Sequence, residues 1–312
     1  MRLAWPALFL ALLLLPSCAT APLEPLPPAP PGPETLQHSI DALAMAFDGR
    51  VGVAVQDVRT GWAAGHDADA AFPQQSVAKL WTALAVFDAV ERGRMNLDDP
   101  VLVTRRDMSV FNQPIQKLLT DQGYRTTIDG LLVLALARSD NAANDILLKR
   151  VGGQRAVWRA LAARRILGIR ASPPEEVLES RVAAVRWKPE YSFGQAFWEA
   201  RDKVPMPRRT RALQRYLNDP GDGAEPRAIA DALARLQRGA LLGPEMTRRF
   251  LDILASTDTG PARLPGGLGP SWRIAHKTGT GQDLGDLSTG YNDVGLITAP
   301  DGHVYAVAVM IA

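Results

Sequence analysis

The chain is almost without cysteine: Cys18 is the one thiol among 312 residues. A single thiol closes no loop, so no disulfide framework can support the fold. Histidine is nearly as scarce. His38, His66, His276 and His303 show no metal-ligand spacing, and neither a metal nor an organic cofactor is expected. Charge of one sign is also missing. Thirty-five basic residues against thirty-three acidic ones leave a net charge of +2, which gives no footprint for a nucleic-acid partner. Arginine pairs such as Arg208-Arg209 read as solvated surface. Long apolar runs are absent as well. The run Leu8 to Leu15 is too short to span a bilayer.

That run has another reading. It follows Arg2 and ends at Leu15-Pro16-Ser17-Cys18, which resembles a bacterial lipoprotein signal with Cys18 as the lipidated residue. The rival is a plain secretory signal cut after Ala19-Thr20-Ala21. Residues 1–18 are therefore expected to be a signal peptide and residues 19–35 a proline-rich tether. Pro22 to Pro33 favours extended, semi-rigid chain. The protein is expected to be exported to the periplasm, to be monomeric, and to meet a membrane through the lipid alone.

The remaining 36–312 carries enough apolar residues, 46% of the chain, for a sizeable core. Leu36 to Phe47 has helical spacing, and Arg50 to Val55 reads as a strand turning at Thr60-Gly61 into a second one. From Ser76 to about Ile253 the pattern is almost entirely helical. Three strands close the chain, around Trp272–His276, Val294–Ile297 and Val304–Val309, with Asp301-Gly302 as the last hairpin signal. The expectation is an α/β protein of α+β type. Its antiparallel sheet is built from 36–72 and 258–312, with a helical domain over 73–257 inserted between them.

Three short strings carry chemistry: Ser76-Val77-Ala78-Lys79, Ser139-Asp140-Asn141 and Lys277-Thr278-Gly279. A lone S-x-x-K arises by chance about once in a chain of this length, so only the ordered set is informative. Ser76 starts a long apolar stretch, and Lys79, three residues on, returns to its face. A lysine on such a helix must find partners or lose its proton. The alternative for this pair is a serine N-cap followed by a snorkelling lysine. Ser139 can relay a proton, Asn141 can grip a substrate amide, and Asp140 is expected to hold the loop. Lys277 and Thr278 are expected to meet a substrate carboxylate. Gly279 is expected to let a substrate lie against the strand edge. The N–H groups of Thr280 and Ser76 could form an oxyanion hole.

With these residues the chain resembles the penicillin-recognising serine hydrolases, and within them the class A β-lactamases, from about residue 36 to the end. The resemblance implies an acyl-serine mechanism on small-molecule β-lactams. It places Phe111 as an aromatic gatekeeper beside the substrate and Arg263 as an aid to carboxylate binding. It aligns Asn292-Asp293 with a pair that follows the third motif. It also implies a deacylation base, Glu175, in Glu175-Glu176-Val177-Leu178-Glu179, with Glu179 where the family usually has asparagine; that departure predicts slow deacylation. A second alignment, through Leu217-Asn218, puts Gln214 at the base position and favours a penicillin-binding D,D-peptidase. Residues 180–216 look like an insertion, either a lid rich in Trp187, Tyr191, Phe193 and Phe197 or an added surface element. The chain stops at Ala312, where the family continues into a helix that covers the sheet. That is the main support for a degenerate, non-enzymatic envelope protein.

Overall fold

The computed structural model describes residues 29–312. The expected signal peptide, Cys18 and most of the tether lie outside the described residues.

Ten α-helices are described: α1 (Glu34–Ala46), α2 (Lys79–Glu91), α3 (Ile128–Ala137), α4 (Asn141–Val151), α5 (Gln154–Ala163), α6 (Glu175–Val182), α7 (Ala196–Asp202), α8 (Met206–Asn218), α9 (Pro226–Gln237) and α10 (Pro244–Ala255). The nine strands are β1 (Val51–Asp57), β2 (Ala63–His66), β3 (Pro100–Val103), β4 (Tyr124–Thr127), β5 (Arg273–Thr280), β6 (Asp283–Leu284), β7 (Leu287–Ser288), β8 (Tyr291–Thr298) and β9 (Val304–Ile311).

The main sheet is antiparallel, in the order β2-β1-β9-β8-β5. Two segments far apart in sequence thus complete one sheet, as the alternating apolar runs at each end of the chain predict. Ala54, Val294, Leu296, Ala306, Ala308 and Met310 bury one face of it in the main core. α9 packs across that face and α1 packs on β2. Pro30 and Gly32, at the end of the proline-rich segment, bond Ala63 of β2, so this part of the tether is joined to the sheet edge.

One finding departs from the expectation of an almost entirely helical middle. β3 and β4 pair as a two-stranded sheet, in which Val101 and Val103 are buried while Leu102 is exposed. That alternation is a strand signal, but four residues are too few for periodicity to outweigh the helical surroundings. A second small pair, β6 with β7, precedes β8.

α2 is apolar nearly all round, and its buried residues run from Lys79 to Ala89 without interruption. A helix of that kind must sit at the centre of the helical part, and α3, α4, α5 and α10 all contact it. The site is held by this buried axis on one side and by β5, the edge strand, on the other.

Candidate active site

Ser76 lies in a 3-10 turn, Gln75–Ala78, that feeds directly into α2. Lys79 therefore starts the buried helix, 1% exposed. Its ammonium donates to Ser76 Oγ at 2.6 Å, to Asn141 Oδ1 at 2.6 Å and to the Ser139 carbonyl at 3.3 Å. It also faces Glu175 Oε1 at 3.0 Å. A buried ammonium needs such a set of acceptors to stay in place. The second lysine mirrors the first. Lys277, wholly buried on β5, donates to Ser139 Oγ and to the Thr278 carbonyl, each at 2.8 Å. Burial, and then the nearby Lys79 cation, hold the Lys277 amine well below its ordinary value. Each hydroxyl of the constellation is thus tied to one amine.

The turn before the nucleophile is strained and pinned. Gln75 has φ +55, a conformation that non-glycine residues rarely adopt. Its N–H donates to Asp222 Oδ2 at 2.8 Å, and its amide nitrogen donates to Tyr216 Oη at 3.0 Å. Tyr216 in turn donates to Asp222 Oδ1 at 2.8 Å. Asp222 is fully buried, and burial raises its carboxyl to about 6. These contacts hold a costly backbone in the geometry that presents Ser76.

Ser139 likewise has φ +55. Asp140 caps α4 by accepting from Ala143 N at 2.9 Å, and it also accepts from Ile115 N at 2.6 Å. Asn141 is stretched between Lys79 and the Val110 carbonyl, to which its Nδ2 donates at 2.8 Å. Its carboxamide oxygen therefore serves Lys79.

Glu175 begins α6 and is 6% exposed. Its backbone N–H donates to Asp145 Oδ1 at 3.0 Å. Burial, with the Glu175 charge second, raises Asp145 to about 7. Glu179, one turn further along α6, is 4% exposed and accepts from Gln282 Nε2 at 2.6 Å. Gln214 is exposed on α8, so the alignment that put it at the base position is not what the fold places beside Lys79.

Gly279 is needed for the packing of β5 itself. A Cβ there would lie 2.4 Å from the Gln74 carbonyl, so the glycine lets β5 press against the nucleophile turn. Gly279→Ala is expected to cost about 1–3 kcal/mol and to slow acylation. Denaturant unfolding and acylation rates would check this; parent-like values for both would contradict it.

Arg263 donates to the Gly279 and Asn292 carbonyls at 3.0 and 2.6 Å and to Thr280 Oγ1 at 2.6 Å, and it lies over Tyr291 at 3.7 Å. It braces the end of β5 beside Thr280. Thr278 Oγ1 bonds Thr259 Oγ1 at 2.7 Å. Asn292 ties β8 to the nucleophile turn through the Pro73 and Gln74 carbonyls, and Asp293 pairs with buried His276 at 2.8 Å.

Phe111 has φ +60 and stacks on Trp198, with ring centroids 4.7 Å apart. Phe197 meets it edge-on at 4.9 Å. Of the two readings of the aromatic-rich segment, the packing fits a cover more than a remote appendage. Together with Glu179, Gln195, Arg201, Thr280 and Gln282, Phe111 and Trp198 line a cavity of about 590 Å³.

Sequence reasoning missed Gln75, Tyr216, Asp145 and Gln282 as parts of the site. Gln75, beside Ser76, and Asp145, one turn after Asn141 on α4, were within its reach; Tyr216 and Gln282 come from distant positions. Among the described residues no cluster of histidine, cysteine and acids could hold a metal, and no helix is long and apolar enough to cross a membrane.

A profile of the Beta-lactamase enzyme family matches residues 35–312. The chain is 26% identical over 279 residues to Beta-lactamase VEB-1 of Pseudomonas aeruginosa, covering 89% of this chain and 83% of that protein. It is 30% identical over 244 residues to Beta-lactamase L2 of Stenotrophomonas maltophilia, covering 78% of this chain and 68% of that one. A crystal structure of a beta-lactamase from Chitinophaga pinensis superposes with a TM-score of 0.73 at 26% identity, covering 89% and 90% of the two chains. With two hydroxyls, two buried amines and a buried glutamate gathered between α2 and β5 of that fold, the chain belongs to the beta-lactamase enzyme family as a serine hydrolase of class A type.

Proposed function

We propose that the protein hydrolyses the amide bond of β-lactams through an acyl-serine intermediate. The observation that carries this is the contact of Lys79 with both Ser76 Oγ and Glu175 Oε1, at 2.6 and 3.0 Å. One amine thereby links the nucleophile to a buried carboxylate. Ser76 Oγ loses its proton into this pair and bonds to the lactam carbonyl carbon. The N–H groups of Ser76 and Thr280 receive the developing oxyanion. Opening the ring breaks the C–N bond, and the nitrogen takes a proton from Ser139; the proton that the Lys79–Glu175 pair received from Ser76 replaces it through Lys277 and Ser139, which leaves Glu175 ionised again. Lys277, Thr278 and Arg263 favour the substrate carboxylate. The second hydrogen on the Asn141 amide is available to a substrate carbonyl. Glu175 then takes a proton from water, whose oxygen bonds to the ester carbon; the ester C–O bond breaks, and that proton passes through Lys79 to Ser76 Oγ, which restores the free serine.

A peptidase acting on cell-wall peptides would share the acylation steps but would not need Glu175 beside Lys79. Parallel assays with a chromogenic cephalosporin and a D-alanyl-D-alanine peptide separate the two. Cleavage of the cephalosporin with the peptide untouched supports the lactamase; the reverse result defeats it.

Outside the fold, the apolar run before Cys18 supports export with a lipid anchor on that residue, and the body is proposed to act as a monomer. Cys18→Ser is expected to move the protein from the membrane to the soluble fraction of cells that express it. Equal partitioning of mutant and parent would rule the anchor out.

A further inference from the structure

We infer that the outer face of α5 lies on the anionic headgroups of a phospholipid membrane, beside the point where the proline-rich tether joins the body. Between Asp145 and Glu175 the chain carries seven basic residues and no acid, although its net charge is only +2. The remainder of the chain is therefore net acidic, and the positive excess is local. α5 runs through the centre of this stretch. It buries Val157, Ala160 and Leu161, and it contacts α2. Arg155, Trp158, Arg159 and Ala162 recur at three- and four-residue spacing, so they form one row on the side away from that core. Arg155 and Arg159 are exposed, and Trp158 between them is 61% exposed. Arg164 and Arg170 are paired with Asp88 and Asp219, whereas no carboxylate of the described residues pairs with Arg155 or Arg159. Their guanidinium groups suit phosphate oxygens, which they can meet two bonds at a time. An indole held out between them suits the headgroup level of a bilayer, where its ring is apolar and its N–H is wet.

The row leads to the tether. Arg235 of α9 clamps the end of α5 by donating to the Arg164 and Arg165 carbonyls. Arg165, Leu167, Arg235 and Arg238 then line a cavity of about 670 Å³ together with Ala29 and Pro30. Glu225 and Asp231 also line it, and Asp231 is taken by Arg235 at 3.4 Å. The Pro30 carbonyl accepts from Ala63 N at 2.8 Å, and Gly32 N donates to the Ala63 carbonyl at 2.7 Å, so this end of the tether is fixed to the sheet edge. Ten residues separate Cys18 from Ala29, and fully extended they reach at most about 40 Å. So short a chain keeps the neighbourhood of this cavity close to any membrane that holds Cys18. That step rests on the anchor proposed for Cys18; the local charge and the exposed indole do not. Headgroup contact of this kind weakens with salt and is marginal alone, which agrees with the release expected of Cys18→Ser.

The test is quenching of Trp158 fluorescence by brominated phospholipids in vesicles mixed with the full mature protein. Comparison of the parent with Trp158→Phe isolates this indole from the others. Vesicles of equal parts phosphatidylcholine and phosphatidylglycerol should quench it at low ionic strength, and added salt should reverse the effect. Vesicles of phosphatidylcholine alone should leave it unquenched. Arg155→Gln combined with Arg159→Gln should weaken the contact about 25-fold and abolish the quenching. Arg208→Gln combined with Arg211→Gln removes the same charge from exposed positions of α8 and should change nothing. All five replaced side chains are exposed, and thermal unfolding would show that each variant keeps the fold. A parent whose Trp158 is not quenched by the anionic vesicles overturns the inference, and so does equal loss in the two double variants, which would reduce the effect to net charge. Trp158 indifferent to vesicles but shielded by duplex DNA or by a second copy of the chain overturns it as well. Flotation with the neutral vesicles reads the lipid on Cys18 separately: a chain that does not float there lacks the anchor, and the anionic vesicles still decide the inference.

Discussion

Replacing Ser76 by alanine is expected to abolish covalent labelling by a penicillin. Oγ is the atom to which the Lys79 ammonium donates at 2.6 Å, and the same amine reaches Glu175. Alanine removes the atom that would bond to the lactam carbonyl carbon and leaves the buried helix start otherwise unchanged, since Val77 and Ala78 carry the packing there. The fold should survive, so the loss can be read as chemistry. Lys79→Met is the companion. It keeps an unbranched stem in the buried slot and removes the amine, and it should slow acylation by about 10²–10⁴. It also leaves Glu175 buried without its ion pair, which should lower stability. A mass adduct in Ser76→Ala as large as in the parent would exclude this serine as the nucleophile. Near-normal acylation in Lys79→Met would show that another base serves it.

Glu175→Gln should have the opposite kinetic signature. Acylation should continue, because the Lys79 amine, without its carboxylate partner, loses its proton more readily and can take the one from Ser76 itself, while Ser139 and Lys277 are untouched. Deacylation should slow by about 10²–10⁴, because an amide keeps the shape of the side chain but cannot take a proton from water. The acyl-enzyme should then accumulate within the first turnover. The substitution also removes the charge that raises Asp145 and Glu179, and both acids should become easier to ionise. Adduct lifetimes equal to those of the parent would remove Glu175 from the mechanism.

These residues were legible in the sequence to different degrees, and the reasons are physical. Ser76 and Lys79 are three residues apart at a helix start, where spacing alone fixes a shared face. The two ends of the main sheet were legible because β1, β8 and β9 alternate or run apolar over most of their lengths. Glu175 could be set against Gln214 only by distance along the chain, since periodicity does not say which of two polar side chains is buried. In the fold Glu175 is buried against Lys79 while Gln214 is exposed. Gln282 lies 103 positions from Glu179 and Asp222 lies 147 from Gln75, so no local pattern joins them. Gly279 was recognised as special, but the cause found is close approach to the Gln74 carbonyl, a tertiary contact. The aromatic segment gave its composition readily. Its placement depends on Phe111 adopting φ +60 and stacking on Trp198, which composition does not specify.

The most direct test of the acyl-serine mechanism is time-resolved intact mass spectrometry of the unmodified protein with a penicillin, followed by peptide mapping. Opening a lactam leaves the amine attached to the acyl group, so the adduct should carry the full mass of the antibiotic. It should map to the peptide containing Ser76, appear before free product, and disappear as product is released. Hydrolysis with no adduct at any time, or an adduct that maps to another residue, would contradict the mechanism.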